Sequence, residues 1–157
     1  MSKKNKWMSW VPAVAWMIVI FMLSAQPAAS SNSLSRGVTR MIVETVGRVL
    51  PLDIEMSTIN DIVTQLNHLV RKMAHFSAYA LLGVLTSHAL HKNGIQGRRA
   101  FLISICICVI YAASDEIHQL FVPGRGCQLK DVMIDSLGAA AGAALNGAAG
   151  KLMRLKR

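Results

Sequence analysis

Four apolar blocks separated by polar segments dominate the sequence. Two of them, 7–23 and 74–90, are seventeen residues long and almost free of charge. The third begins at Phe101 and becomes long enough to cross a membrane only if it continues to residue 119, and the fourth, 132–149, consists mostly of Ala and Gly. A helix needs about 20 residues, and at least about 17, to cross the hydrocarbon core. The pattern therefore predicts an all-α membrane protein with four transmembrane helices.

The fourth block differs from the others because it has few large apolar side chains. Gly138 and Gly142 lie four residues apart in it, the small-xxx-small spacing at which neighbouring helices pack closely. We therefore predict that this helix is buried among the other three. A homo-oligomer formed through the same glycine face is an alternative use of this spacing.

The long segment 24–71 between the first two blocks is predicted to form an outer loop with its own helices. It begins with a polar, Ser-rich stretch that we interpret as flexible. Residues 38–50 then place apolar side chains at helical spacing, which is typical of an amphipathic helix lying along the membrane surface, and Pro51 ends it. Residues 59–70 form a second amphipathic stretch that leads into the second block.

Charge adds an orientation to this pattern. The chain has 17 Lys and Arg against eight Asp and Glu, a net charge of +9 that on composition alone favours nucleic-acid binding. Ten of the basic residues precede the first block, join the second to the third or follow the fourth, and no acidic residue does. The positive-inside rule then predicts that both termini are cytoplasmic. We therefore attribute the positive net charge to the membrane orientation of the chain and expect no nucleic-acid partner.

Two further features bear on the class of protein. Residues 3–6 and the apolar run after them also fit a cleaved signal peptide, but the run exceeds the ~7–15 residues usual for one and no A-x-A site follows Leu23. We therefore expect this first helix to be retained. The three cysteines, two of them inside an apolar block, are too few and too badly placed for a disulfide framework or a Cys-rich metal site.

The predicted topology brings polar residues from three helices to the outer face of the membrane. Lys72, His75 and Tyr79 share one face of the second helix because they are three and four residues apart. The third helix ends at this level and the fourth begins there. Ionisable groups in spans usually face protein or water and mark function. The other polar residues at this level are Arg71, Asp115, Glu116, His118, Gln119, Arg125, Asp131 and Asp135.

Structural roles are an alternative for most of these side chains. Lys72 is suited to extend toward the headgroups from a helix end, and His75 and Tyr79 are suited to anchor that end at the interface. Asp115 and Glu116 oppose the helix dipole at a C-terminal end, so they require a basic partner or a cationic ligand. No function is assigned to His68, His88, His91, Cys106, Cys108 and Cys127.

Two ordered motifs resemble the VanZ-like membrane protein family. Residues 71–79 read RKMAHFSAY and residues 114–125 read SDEIHQLFVPGR, which is similar to the family's K-x-x-H-F-x-x-Y and S-D-E-x-x-Q-x-F-x-P-x-R patterns. The last helix continues as DVMIDSLG, and LSAQP after the first helix is similar to the family's S-x-Q element. Because the resemblance covers nearly the whole chain, we expect one domain over 1–157. Asp135 stands where Asn is common, which favours a charged partner such as Arg125 or Lys72.

The resemblance implies a membrane protein of the cell envelope without a cofactor. The family is named for a protein that confers low-level resistance to the lipoglycopeptide teicoplanin. Carried over residue by residue, the ligand-binding positions that it implies are Lys72, His75, Tyr79, Asp115, Glu116, Gln119, Arg125, Asp131 and Asp135.

Three functions compete on these grounds. The first, which we favour, is a binding or shielding protein in which Lys72 and Arg125 engage a lipid-linked cell-wall precursor or an anionic lipid at the outer leaflet. The second is a membrane enzyme acting on a lipid or lipid-linked substrate, with His75 as general base and Asp115 or Glu116 as acid or orienting group. No nucleophile elbow, P-loop or recognised metal-ligand spacing supports it. The third is a scaffold or a small transporter subunit.

Overall fold

The computed structural model describes residues 3–49 and 56–155 of the chain. Helices make up nearly all of this part, and no strand occurs in it. The helices are α1 (Lys3–Met8), α2 (Val11–Ser24), α3 (Ala28–Val49), α4 (Met56–Lys92), α5 (Gly97–Gln119) and α6 (Leu129–Leu155). The all-α prediction is confirmed for the described residues.

A bundle is formed by α2, the C-terminal half of α4, α5 and α6. The Trp16 indole donates a hydrogen bond of 2.8 Å to the Ala78 carbonyl group, and the Tyr111 hydroxyl donates one of 2.6 Å to the Met17 carbonyl group. In this arrangement α2 and α5 run parallel to each other and antiparallel to α4. The side chains packed at the centre are Ile20, Tyr79, Leu82, Cys108, Ala112 and Ala139.

The closest approach in the bundle is between α4 and α6, which run parallel. A Cβ atom added at Gly138 would overlap the Phe76 carbonyl group, and one added at Gly142 would overlap the Ala80 carbonyl group. Only glycine therefore fits at these two positions, because the α4 backbone occupies the space of a side chain. This confirms the close helix packing predicted from their spacing and assigns it to a contact within the chain. The homo-oligomer through the same face stays a prediction.

Three helical stretches of the described residues are long and apolar enough to cross a membrane, and the prediction of four was wrong in this respect. The second block, 74–90, lies in α4, where two histidines and several hydroxyl-bearing residues interrupt the apolar run and lower its mean hydropathy. The Ala- and Gly-rich helix does qualify, although it has few large apolar side chains. The three stretches are Lys6–Ser24, Gly97–Gln119 and Leu129–Leu152.

The segment between the first two blocks is more regular than the sequence predicts. Helix α3 begins at Ala28, so the Ser-rich stretch interpreted as flexible is helical instead. Helix α4 continues from Met56 through 37 residues, which corresponds to about 55 Å. The predicted amphipathic stretch over 59–70 is thus the first part of α4, and Pro51 lies outside the described residues.

Helix α3 packs antiparallel against the N-terminal half of α4. The Asn67 amide group donates a hydrogen bond of 2.6 Å to the Asn32 side chain, and the Arg40 guanidinium donates one of 2.6 Å to the Asn60 side chain. Thr39, Val43 and Val63 are buried in this pair of helices. The pair extends beyond the bundle, and the surface position predicted for residues 38–50 stays a prediction.

The two ends of the bundle differ in charge. At one end the Asn93 side chain, which follows α4, donates hydrogen bonds to the Ser9 hydroxyl at 2.9 Å and to the Ala89 carbonyl group at 2.8 Å. The N-terminus of α2 therefore lies beside the α4–α5 connection. We call this the basic end, because its charged side chains are Lys6, Lys92, Arg98, Arg99 and Lys151. The opposite end carries the polar residues singled out by the sequence.

Candidate functional site

Four polar side chains with ionisable or amide groups are buried at the end of the bundle opposite the basic end. Asp115, Glu116 and Gln119 belong to the last turns of α5, and their residues are between 1% and 5% exposed. Asp135 lies on the second turn of α6 and is 1% exposed. Buried carboxylates are costly unless they are paired or hydrogen-bonded, so the partners of these side chains decide what the site does.

Asp135 has a histidine as its charged neighbour. The Nδ1 atom of His75 lies 3.7 Å from the Asp135 Oδ1 atom, which makes an ion pair when the imidazole is protonated. Neither carboxylate oxygen accepts a hydrogen bond from the described residues. The expectation that Arg125 or Lys72 pairs with Asp135 was wrong, because the structure places the α4 histidine there.

Gln119 connects α5 to the end of α2. Its side-chain Nε2 atom donates a hydrogen bond of 3.0 Å to the Ser24 hydroxyl and a longer one of 3.4 Å to the Asp115 Oδ2 atom. The other Asp115 oxygen has no hydrogen-bond partner among the described residues, and neither has the hydroxyl of the fully buried Tyr79. Unpartnered buried polar atoms are few in folded proteins and require an explanation, such as a ligand or water.

Glu116 holds the connection between α5 and α6. Its Oε2 atom accepts a hydrogen bond of 2.8 Å from the Gln128 backbone amide, which precedes the first turn of α6. A basic partner or a cationic ligand was expected for Glu116, and none of the described Lys or Arg residues pairs with it. The carboxylate therefore has a structural role that accounts for one of its oxygens.

Arg125 lies in the same connection and reaches back to α2. Its Nε atom donates a hydrogen bond of 2.9 Å to the Gln26 carbonyl group, and the Ala28 amide donates one of 3.1 Å to the Pro123 carbonyl group. Burial, and next the nearby Arg71 guanidinium, lower the pKa of Arg125 from its usual value. Two guanidinium groups thus lie close together, with no carboxylate bonded to either in the described part of the chain.

Several of these side chains border a cavity of about 300 Å³ between α2, α3, α4, the end of α5 and the α5–α6 connection. We call it the arginine cavity. Its polar side chains include Arg71, His75, Tyr79, Asp115 and Arg125, together with hydroxyl groups of α2 and α3. Most of its wall is apolar. The apolar wall is formed by Ile20, Leu23, Leu34, Val38, Val70, Ala74 and Ala78.

Lys72 and Asp131 lie elsewhere. They line a separate cavity of about 20 Å³, which is enough for about one water molecule. Asp135 also borders it, and Arg71 and His75 line both this cavity and the arginine cavity. The structure thus brings His75, Tyr79, Asp115 and Arg125 of the predicted positions to the larger cavity. It places Gln119 and Glu116 behind its wall.

The sequence interpretation missed several residues of the arginine cavity. Arg71 was noted only as a helix-end residue, although it lies four residues before His75 and eight before Tyr79 and therefore shares their face. Ser24 and Gln26 could have been found, because both belong to the LSAQP motif that resembles the family's S-x-Q element. No sequence feature pointed to Leu34 and Val38 of α3, because they reach the cavity only through the packing of α3 against α4.

Among the described residues no group of three or more His, Cys, Asp and Glu side chains is arranged to hold a metal ion. The chemistry available to the cavity is therefore that of its own groups: two guanidinium groups, an imidazole paired with a carboxylate, an unpartnered carboxylate oxygen and a phenol. Such a set can bind an anion and orient hydrogen-bond acceptors beside it.

The described residues are almost entirely helical, and their three apolar helices of membrane-spanning length are consistent with a small membrane protein. The sequence model of the VanZ/LLP1 family matches residues 9–148, and the chain belongs to that family. This confirms the resemblance seen in the motifs around His75 and Asp115. No curated protein and no solved structure matches the chain.

Proposed function

We propose that the arginine cavity binds an amphiphile with an anionic headgroup, such as a lipid-linked component of the cell envelope. The observation that carries the proposal is the pair of guanidinium groups of Arg71 and Arg125 at one side of a largely apolar cavity. Neither forms an ion pair with a carboxylate among the described residues. Burial lowers the pKa of Arg125 most. The Arg71 charge lowers that pKa further, by more than either Asp115 or Glu116 raises it. A negative ligand would therefore relieve the mutual repulsion of the two arginines. Arginine binds phosphate and carboxylate groups through paired hydrogen bonds.

The apolar wall favours an amphiphile over a small anion. Leu23 of α2, Leu34 of α3 and Val70 of α4 come from three different helices and face the same cavity. A hydrocarbon chain placed against them removes apolar surface from water, which stabilises the complex by about 25 cal/mol per Å². A free phosphate ion would leave this wall uncovered.

Polar groups near the arginines would select among headgroups. The unpartnered Tyr79 hydroxyl is a donor, and the unpartnered Asp115 oxygen is an acceptor when ionised. Both line the arginine cavity. A headgroup that carries a hydroxyl or amine beside its phosphate or carboxylate would satisfy Asp115 as well as the arginines, whereas an alkyl phosphate would satisfy the arginines and leave the Asp115 oxygen unpartnered.

The orientation that fits this function places the basic end in the cytoplasm. The cations of the basic end, Lys6, Lys92, Arg98, Arg99 and Lys151, support this arrangement through the positive-inside rule. Both ends of the described chain lie on that side of the bundle, and the arginine cavity then opens toward the outer leaflet. Cell-wall precursors and lipoglycopeptides meet the membrane there.

Family membership adds a physiological role to this proposal. The VanZ family is connected by name with low-level resistance to teicoplanin, and we propose that this chain protects cells against that drug to a similar extent. The cavity would act by occupying or shielding a lipid-linked envelope component.

Lipids that co-purify with the full-length protein test the binding proposal. The protein is extracted in a mild detergent, and its lipids are identified and counted by mass spectrometry for the wild type and for Arg71→Gln/Arg125→Gln. Lys130→Gln is the control, because Lys130 is an exposed cation at the same end and does not line the cavity. We expect an anionic amphiphile that the double variant loses and the control keeps. Equal lipid content in all three proteins would refute the proposal.

A membrane enzyme is the second candidate, and the His75–Asp135 pair is the observation in its favour. His75 lines the arginine cavity together with Asp115 and Tyr79 and is paired with Asp135, so an imidazole, a carboxylate and a phenol that are able to move protons meet in one cavity. Turnover of an envelope lipid by the purified protein, lost with His75→Gln, would favour this candidate. Binding without turnover across a panel of such lipids would favour the binding protein.

A further inference from the structure

A second cavity, of about 570 Å³, lies at the basic end of the bundle. It is bordered by the C-terminal part of α4, the first turn of α5 and the C-terminal half of α6. None of the residues of the arginine cavity lines it. Its polar side chains are Ser87, His88, His91, Gln96, Arg98, Asn146 and Lys151.

The charge of this cavity is of one sign. Arg98 and Lys151 are cations, two histidines also line the cavity, and no described Asp or Glu does. The eight acidic residues of the chain all lie in the sequence segments 44–61 and 115–135, and those that the structure describes are away from this end. The N-terminal turn of α5 adds the positive end of its helix dipole to the same place.

A fixed polar pair forms part of the wall. The Asn146 amide group donates a hydrogen bond of 3.0 Å to the Ser87 hydroxyl, and its nitrogen also lies 3.1 Å from the Nδ1 atom of His91. Ser87 is only 1% exposed. The positive-inside rule accounts for lysines and arginines at a helix end, but it does not account for an Asn in a stretch of Ala and Gly. Polar groups in such helices usually face a cavity or a partner.

The remaining wall is apolar and built from small residues. Phe101, Ala143 and Ala144 lie beside the cations, and Gly147 leaves open space where other residues have a side chain. A free phosphate ion would satisfy the cations and leave this wall exposed. A glycerol backbone with its acyl chains would cover it.

We propose that this cavity binds the phosphate headgroup of an anionic phospholipid, with Arg98 and Lys151 on the phosphate and the acyl chains along the Ala- and Gly-rich face of α6. This site is independent of the arginine cavity, since the two share no residue and lie at opposite ends of the bundle. It makes the protein sensitive to the anionic lipid of the leaflet that surrounds the basic end. Cations near an anionic lipid surface are attracted to it in general, and the cavity adds a specific binding site for one headgroup.

Lipid binding to the full-length protein in detergent tests this proposal. Native mass spectrometry compares phosphatidylglycerol with phosphatidylcholine on the wild type and on Arg98→Gln/Lys151→Gln. The control is Lys92→Gln/Arg99→Gln, which removes the same charge from exposed residues of the same end that do not line the cavity. We expect the wild type to prefer phosphatidylglycerol at least tenfold, the first variant to lose that preference and the control to change it less than twofold.

A variant that leaves the charges in place tests the cavity itself. Gly147→Leu adds a side chain at a position whose Cβ meets no atom within 4 Å, so the fold should tolerate it. We expect it to weaken phosphatidylglycerol binding at least fivefold with an unchanged unfolding temperature. Millimolar inorganic phosphate should leave the lipid bound. Equal losses in both charge variants, unchanged binding by Gly147→Leu, or displacement by inorganic phosphate would each overturn the proposal.

Discussion

The His75 imidazole lies 3.7 Å from the Asp135 carboxylate and forms the one ion pair between α4 and α6 in the described part of the chain. Asp135 is buried, whereas the His75 side chain is 29% exposed and borders the arginine cavity. The pair therefore connects the tightest helix contact of the bundle to the candidate binding site. A ligand that contacts His75 would therefore also change the electrostatic environment of the Asp135 carboxylate.

The contribution of the pair to stability is tested by removing one partner and then the charge of the other. His75→Ala leaves a buried carboxylate without its charged neighbour, and we expect it to lower the free energy of unfolding by about 1–3 kcal/mol. The second change in His75→Ala/Asp135→Asn removes that carboxylate's charge and should recover more than half of the loss. Thermal unfolding in detergent measures both, with the exposed His68→Ala as control. A double variant no more stable than His75→Ala would contradict this role of the pair.

The contact between α4 and α6 makes a prediction about two glycines of one helix. Gly142→Leu drives a side chain into the Ala80 carbonyl group, and we expect a loss of about 1–3 kcal/mol or more in stability. Gly147→Leu, five residues later in the same helix, meets no atom within 4 Å and should be tolerated. Yield of monodisperse protein and unfolding temperature measure the difference. Similar values for the two variants would show that α6 does not pack on α4 through Gly142.

The proposed orientation is tested by thiol labelling in intact cells. Cys127 is exposed in the α5–α6 connection, so a protein with Cys127 as its sole cysteine should react with a membrane-impermeant reagent added outside. In a cysteine-free background, Lys92→Cys at the basic end should react only after the cells are opened. The reverse pattern would invert the orientation and remove the arginine cavity from the outer leaflet.

Drug susceptibility tests the physiological part of the proposal. Teicoplanin and vancomycin are compared in a sensitive Gram-positive host that expresses the wild type, Asp115→Asn, Arg125→Ala or Lys130→Gln at equal membrane abundance. We expect the wild type and Lys130→Gln to protect modestly against teicoplanin and the two cavity variants to lose that protection. Protection that survives both changes would make these side chains structural and place the function elsewhere in the protein.

Much of the fold was predictable because apolar runs and glycine spacing are local features of the sequence. The C-terminal end of α5 and the contact at Gly138 and Gly142 followed from such features. The number of helices apolar enough to span a membrane was not predicted correctly. The polar residues of α4 that line the cavities also lower the mean hydropathy of that helix. The helical state of residues 30–35 also did not follow. Serine and asparagine are weak helix formers, and their helix depends on packing against α4.

The site was predictable as a region and only partly as a set of side chains. Arg71 and Lys72 both have helical spacing to His75, at four and three residues, so spacing alone could not decide which one faces the cavity. The position of α3 decides it, and that position depends on contacts such as Asn32 with Asn67. Asp135 was predicted to require a charged partner, but the identity of the partner depended on how α4 and α6 are aligned.

The measurement that tests the central claim most directly is the affinity of the purified protein for a single-chain alkyl phosphate, determined by titration in detergent. It compares the wild type, Arg71→Gln/Arg125→Gln and Lys130→Gln, with inorganic phosphate as the chain-free ligand. Hydrogen bonds to charged groups contribute about 1.5–3 kcal/mol each, so the double variant should bind at least tenfold more weakly and the control should not change. Inorganic phosphate should bind far more weakly than the alkyl phosphate. Equal affinity of the wild type and the double variant would contradict an anion site at Arg71 and Arg125.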